Sequence, residues 1–172
     1  MIRATVPINR PTKLAFAVAA GVVALDAASK WLAVELLSGK GRVEVLGGLF
    51  HLELYRNFAG PGGRFAGHVV LISLFTVVAV AVLALAATRV RTTGTAIAVG
   101  MLLGGGVGNG LDRLLRAPGP FEGGVIDWLK PTLQSGSMNI ADLAINAGVA
   151  VIVIVAVLTW WRERSRAATA RT

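Results

Sequence analysis

The sequence predicts an α-helical integral membrane protein: a four-transmembrane-helix bundle with a small extracytoplasmic β-rich platform and both termini cytoplasmic. Three observations carry this expectation. Of the 172 residues, 55% are hydrophobic and only 15% charged, with a mean hydropathy of +0.69. That is too apolar for a soluble domain of this size. Four apolar stretches are each long enough to cross a bilayer, which takes about 20 helical residues. The excess of basic residues gathers at alternate ends of those stretches.

The spans fall at about 14–37, 67–87, 95–115 and 137–161 of a single membrane domain, 1–172. Arg3, Arg10 and Lys13 precede the first span, Arg89 and Arg91 separate the second from the third, and Arg162, Arg164, Arg166 and Arg171 follow the fourth, in a basic tail over 162–172. Against these nine stands one acid, Glu163, while the rest of the chain holds eight basic and eight acidic residues. The net charge of +8 therefore sits on one side, and the positive-inside rule makes that side cytoplasmic. Dispersed flanking charge of this kind is a topology signal, not the basic stripe of a nucleic-acid binder. The first span also resembles a cleavable leader, with a basic start and an apolar run. Its pattern continues through Asp26 into more apolar sequence, which favours a retained span.

The outer segment 38–66 changes period. Val43 and Val45, then Leu49, His51, Glu53 and Tyr55 against Phe50, Leu52 and Leu54, alternate roughly every two residues, as strands do. Ala59-Gly60-Pro61-Gly62-Gly63 then forms a loop. The second outer segment, 116–136, reads as an irregular loop as far as Val125-Ile126-Asp127-Trp128. In the third span Gly100, Gly104 and Gly108 recur at four-residue spacing, which predicts close helix packing. The spacing does not fit a dinucleotide fingerprint.

Each span loses its apolar character toward its outer end. Those ends carry Asp26 with Lys30, Asn109 with Asp112 and Arg113, and Asn139 with Asp142. At 1.5 Å per helical residue, all fall in the outer third of a core about 30 Å thick. A bland reading is that helix ends turn polar near water, and Asp142 in particular suits the start of a helix through its dipole. Asp26 is harder to explain that way, because apolar residues follow it and Lys30 stands at i+4 on the same face. A structural ion pair explains those two as well as a functional role does.

Two outer acids, Asp127 and Asp142, belong to separate segments and each sits beside apolar residues. Two carboxylates meeting in a poorly solvated site cannot both ionise cheaply, so one holds a proton while the other accepts one from water, as in aspartic proteases. The chain has no cysteine, and its two histidines, His51 and His68, are isolated and read as surface or interfacial residues. No metal and no cofactor are expected.

At these residues the chain resembles the lipoprotein signal peptidases, or signal peptidase II. The motifs are Asp26-Ala27-Ala28-Ser29-Lys30, Asn57 after a strand-like run, Gly108-Asn109-Gly110-Leu111-Asp112-Arg113, Val125-Ile126-Asp127-Trp128 and Asn139-Ile140-Ala141-Asp142. Five short motifs in order, at corresponding ends of four spans, make a strong signal. The resemblance implies an intramembrane aspartyl endopeptidase of the bacterial inner membrane, monomeric, with its site facing the extracytoplasmic side. It implies Asp127 and Asp142 as the catalytic dyad, with Asp26, Lys30, Asn57, Asn109, Asp112, Arg113 and Asn139 as supporting or substrate-binding residues. The implied partner is a prolipoprotein with a diacylglyceryl cysteine, its signal peptide lying in membrane lipid.

The chain departs from the family pattern in three places. Phe58-Ala59-Gly60-Pro61-Gly62-Gly63-Arg64-Phe65 replaces a Gly-Ala-Ala-Phe-like stretch, the loop between Arg113 and Asp127 is long, and Met138 stands where Phe is usual. The first bears on substrate contacts, since Pro61 removes a backbone donor and Arg64 adds charge, and admits a divergent paralogue with altered preference. Two further readings stand beside the peptidase: a non-catalytic lipopeptide-binding relative, and a small ion or proton transporter lined by Asp26, Lys30, Asp112, Arg113 and Asp142.

Overall fold

The computed structural model describes residues 9–60 and 63–169; Arg3, Pro61, Gly62 and Arg171 of the sequence reading lie outside them. The elements in chain order are helix α1 (Arg10–Leu37), strands β1 (Val43–Val45) and β2 (Phe50–Asn57), helices α2 (Val69–Ala87) and α3 (Thr93–Leu115), strand β3 (Val125–Pro131) and helix α4 (Ile140–Thr169). All four helices are long and apolar enough to span a membrane.

The helices outrun their apolar cores where the sequence supplies caps. Asn9 accepts the Thr12 backbone N–H at 2.7 Å and Pro11 occupies the first turn, so α1 begins ahead of the expected apolar run. Thr92 caps α3 in the same way. The Asn9 amide also donates to the Val90 carbonyl, tying the start of α1 to the turn between α2 and α3.

Helix α3 is the centre of the bundle, in contact with α1, α2 and α4. Its glycines make this possible. A Cβ at Gly100 would stand 2.5 Å from the Ala15 carbonyl oxygen, one at Gly104 2.7 Å from that of Ala19, and one at Gly105 2.5 Å from that of Ala141. Backbone thus meets backbone on two sides of α3, which is how helices associate in lipid without a hydrophobic driving force between them. Helix α2 lies against α3 but buries only Ser73 and Ala87. Its outward Val78, Val82 and Leu85 suit a hydrocarbon surround.

The strands form one antiparallel sheet in the order β1-β2-β3. The alternation in 43–55 predicts its first two strands. The third corrects the expectation of a loop: Asp127 lies within β3, paired with Tyr55 of β2, because the run from Val125 to Leu129 supplies a buried edge. His51 is also corrected. It is buried in the sheet, with Nδ1 3.3 Å from the Thr132 hydroxyl. Connectivity brings the sheet, the C-termini of α1 and α3 and the N-termini of α2 and α4 to one end of the bundle. At the opposite end Arg164 stacks over the Trp160 ring at 4.6 Å, an arrangement suited to an interfacial anchor.

Candidate active site

The segment before α4 is stitched to β3. The Met138 carbonyl accepts from the Trp128 and Leu129 N–H groups, and the Met138 N–H donates to the Leu129 carbonyl at 2.8 Å. This places Asn139 beside Asp127. Asn139 is also the N-cap of α4, and with Asp142 it forms a reciprocal capping box: the Asn139 Oδ1 accepts the Asp142 N–H at 2.9 Å, and the Asp142 Oδ2 accepts the Asn139 N–H at 3.2 Å. The expectation that Asp142 belongs to a helix start is therefore met by side-chain geometry, which also fixes where its carboxylate points.

Asn139 then reaches the other acid. Its Nδ2 donates to the Asp127 Oδ1 at 2.7 Å, and the second oxygen of Asp127 accepts from the Asn57 Nδ2 at 3.0 Å. On the far side Asn109 donates to the Asp142 Oδ1 at 2.8 Å. Its own oxygen accepts from the Asn139 Nδ2 and the Lys30 Nζ, each at 3.1 Å. Three asparagines from β2, α3 and the α4 cap thus hold the two carboxyl groups toward one cavity, which both line.

Behind them lies a charge cluster. Lys30, 1% exposed, has three acceptors for its three N–H donors: the Asp26 Oδ2 at 2.6 Å, the Asp112 Oδ2 at 2.9 Å and the Asn109 oxygen. Asp26 in turn accepts the Ala141 N–H at 2.9 Å, serving the first turn of α4. Asp112 accepts the Ile126 N–H at 3.1 Å, pinning β3, and pairs with Arg116. Asp26 and Lys30 are a structural ion pair, and also the support on which the asparagines rest. Arg113 is buried and lines the cavity, and its Nη1 has no partner among the described residues.

All nine residues singled out in the sequence meet in this layer. Taken together with Arg116, its acids outnumber its cations by one when all are ionised, so a single proton on Asp127 or Asp142 makes it neutral. Burial does most to raise the Asp127 carboxyl, with a further push from the charge of Asp142. The hydrogen bonds from Asn57 and Asn139 and the charge of Lys30 oppose this, and the carboxyl titrates at about 7.

The cavity has a volume of about 1270 Å³. Its floor is α3, at Leu102, Gly106 and Asn109, and its walls are α2 and α4. These two walls do not pack against each other as the neighbouring helices do. Of the residues after Asn57 that depart from the family pattern, Phe58 packs its ring on Gly124, where an added Cβ would stand 2.7 Å from it. Arg64 is exposed. Sequence reasoning missed Arg116 and Asn146; both stand at i+4 from an acid already singled out, Asp112 and Asp142, and that spacing was the available signal.

Residues 18–158 match the sequence profile described as signal peptidase (SPase) II. The chain belongs to the signal peptidase II family. It is therefore an enzyme of an aspartic peptidase family. The chain is similar to the lipoprotein signal peptidase of Streptomyces coelicolor, 35% identical over 86% of this chain and 72% of that protein. The lipoprotein signal peptidase of Mycobacterium avium is 33% identical over 89% of this chain and 85% of its own length. A bacterial membrane enzyme structure solved by the in meso method at 2.3 Å resolution has a TM-score of 0.71 at 22% identity, covering 83% of this chain and 87% of that one. That likeness shows the shared fold: four spans and a small sheet.

Proposed function

We propose that this signal peptidase II family member removes signal peptides from diacylglyceryl-modified prolipoproteins, cleaving before the lipidated cysteine with water activated between Asp127 and Asp142. The observation that carries this reading is the bridge through Asn139, which holds one carboxyl by its amide N–H and the other through a capping box. Membership of an aspartic peptidase family supports it.

The chemistry follows from the dyad's single proton. Asp127, titrating at about 7, holds it, while Asp142 accepts a proton from the attacking water. As the water oxygen bonds to the carbonyl carbon, Asp127 passes its proton to the carbonyl oxygen, giving a neutral tetrahedral diol. On collapse Asp142 returns its proton to the departing amine of the cysteine, the C–N bond breaks, and Asp127 recovers a proton from the diol. Arg113 lines the cavity beside the two acids, and its guanidinium serves as donor to a substrate carbonyl.

The separation of α2 from α4 gives a signal-peptide helix a lateral way in from lipid, with the glycine-rich floor of α3 beneath it. The charge asymmetry of the sequence supports a sheet end that faces outward from a bacterial inner membrane, with water reaching the dyad from that open side.

Purified protein in liposomes, given a lipidated precursor and the same precursor with an unmodified cysteine, tests this. Cleavage is expected of the first and not the second, and Asp127→Asn and Asp142→Asn should each abolish it without changing membrane insertion. Substantial turnover by either variant overturns the dyad assignment.

A further inference from the structure

Asn146 is a polar side chain that the dyad chemistry leaves unused. It stands at i+4 from Asp142, so both point from one face of α4 into the same cavity. It is exposed there, and no hydrogen bond is made by its amide among the described residues. Six residues into the helix, it lies about 9 Å below the start of α4, in the apolar part of a membrane span. The neighbouring outward residues Leu143 and Val149 are apolar and exposed, as lipid requires. An amide carries two donors and an acceptor, and hydrocarbon satisfies none of them.

The cavity at this level is otherwise apolar. Phe75 and Ala79 face it from α2, Leu102 and Gly106 from α3, and Ile145 from α4. Thr76, at about the same depth on α2, donates its hydroxyl to the Ile72 carbonyl at 2.8 Å. The groove thus presents one unsatisfied amide within an apolar wall, and its partner must come from whatever fills the groove.

We propose that Asn146 is a specificity-determining residue that receives a hydroxyl or small amide side chain of the signal peptide, about three to five residues before the scissile bond. The inference rests on the peptidase reading of the site. The position follows from depth: Asn146 is one helical turn, about 6 Å, beyond Asp142, a length that bound peptide covers in about two residues when extended and about four when helical. A serine or threonine there would face hydrocarbon in a uniformly apolar groove; in this one it finds both a donor and an acceptor.

A serine scan of a lipidated precursor across the eight residues before the cleavage site, read as kcat/KM relative to the all-leucine precursor, tests the proposal with the unaltered enzyme, Asn146→Leu and Asn146→Gln. The unaltered enzyme should tolerate serine best at one position within the stated window. There alone Asn146→Leu should lower the serine-to-leucine ratio about three- to tenfold, the range of single hydrogen bonds between membrane helices, and Asn146→Gln should recover part of it. Equal scans for the unaltered enzyme and Asn146→Leu overturn the assignment of Asn146 while leaving the peptidase reading intact. Failure of the unaltered enzyme to cleave any lipidated precursor overturns both.

Discussion

Asn139 Nδ2 lies 2.7 Å from Asp127 Oδ1, and the same side chain caps the helix that carries Asp142. One residue therefore sets the start of α4 and the position of a carboxyl group on a neighbouring strand. Helix formation and the juxtaposition of the two carboxyl groups become a single event, since the cap cannot form with the strand elsewhere unless the amide gives up Asp127.

The two duties separate on substitution. Asn139→Ser keeps a good N-cap, so the helix start should lose only a few tenths of a kcal/mol. The shorter hydroxyl cannot both accept from the Asp142 N–H and reach Asp127. Cleavage should fall on the order of 100-fold, the effect of a catalytic group displaced by about 1 Å. Thermal unfolding in detergent beside a precursor-cleavage assay checks the pair, and parallel loss of stability and activity would contradict it.

In the proposed mechanism the state of Asp127 sets the alkaline limit of activity. Its proton is lost as pH rises through about 7, leaving two like charges and no donor for the carbonyl oxygen, so kcat/KM should fall above that value. The bond from Asn57 favours the charged form and holds the carboxyl down. Asn57→Ala removes that bond, so the residual activity should extend to higher pH, and a limb that stays in place or moves to lower pH would count against Asn57 as a regulator of the dyad.

How much of this was legible in the sequence depends on the range of the interaction. The spans follow from composition, and β1 and β2 from a period of two within one segment. Strand β3 was hidden because its partner, β2, lies some 70 residues earlier, and a buried edge strand carries no alternation of its own. The polar layer was visible as residue types at matching depths, yet the sharing of Asn139 between two acids was not, since a hydrogen bond between segments leaves no periodicity. Asn57 was placed by resemblance alone; its bond to Asp127 crosses from β2 to the neighbouring β3. His51 misled for the complementary reason, because its hydroxyl partner is Thr132, beyond the end of another strand.

Lys30 should be the most costly of the supporting residues to remove. Its three acceptors include two carboxylates that are themselves buried, so Lys30→Met leaves like charges facing each other with no cation between them. Breaking a buried pair in this way costs about 3–5 kcal/mol. Adding Asp26→Asn to the Lys30→Met protein should recover part of that loss by deleting the uncompensated charge, since Asp112 keeps Arg116 as a partner. The melting temperatures of the single and double variants in detergent decide it, and a double variant less stable than the single one would show that Asp26 matters through its bond to the Ala141 N–H instead.

Gly108 marks the point where α3 gives way to a carboxylate. A Cβ there would stand 2.6 Å from the Asp26 Oδ2 and 3.2 Å from its Cγ, with the Ala141 Cβ closing the other side at 3.3 Å. Asp26 has little room to yield, because one oxygen pairs with Lys30 and the other holds the Ala141 N–H. Gly108→Ala should therefore cost about 1–3 kcal/mol, the usual penalty for overpacking, and should also lower cleavage, since the displaced Asp26 carboxylate carries the first turn of α4 with it. Gly106 offers the comparison. Its added Cβ would meet only the Val80 Cγ2, at 3.1 Å, a single methyl group on the sparsely buried α2. Gly106→Ala should accordingly be milder in melting temperature than Gly108→Ala, and the reverse order would mean that the contact between α2 and α3, not the Asp26 cradle, limits the stability of the bundle.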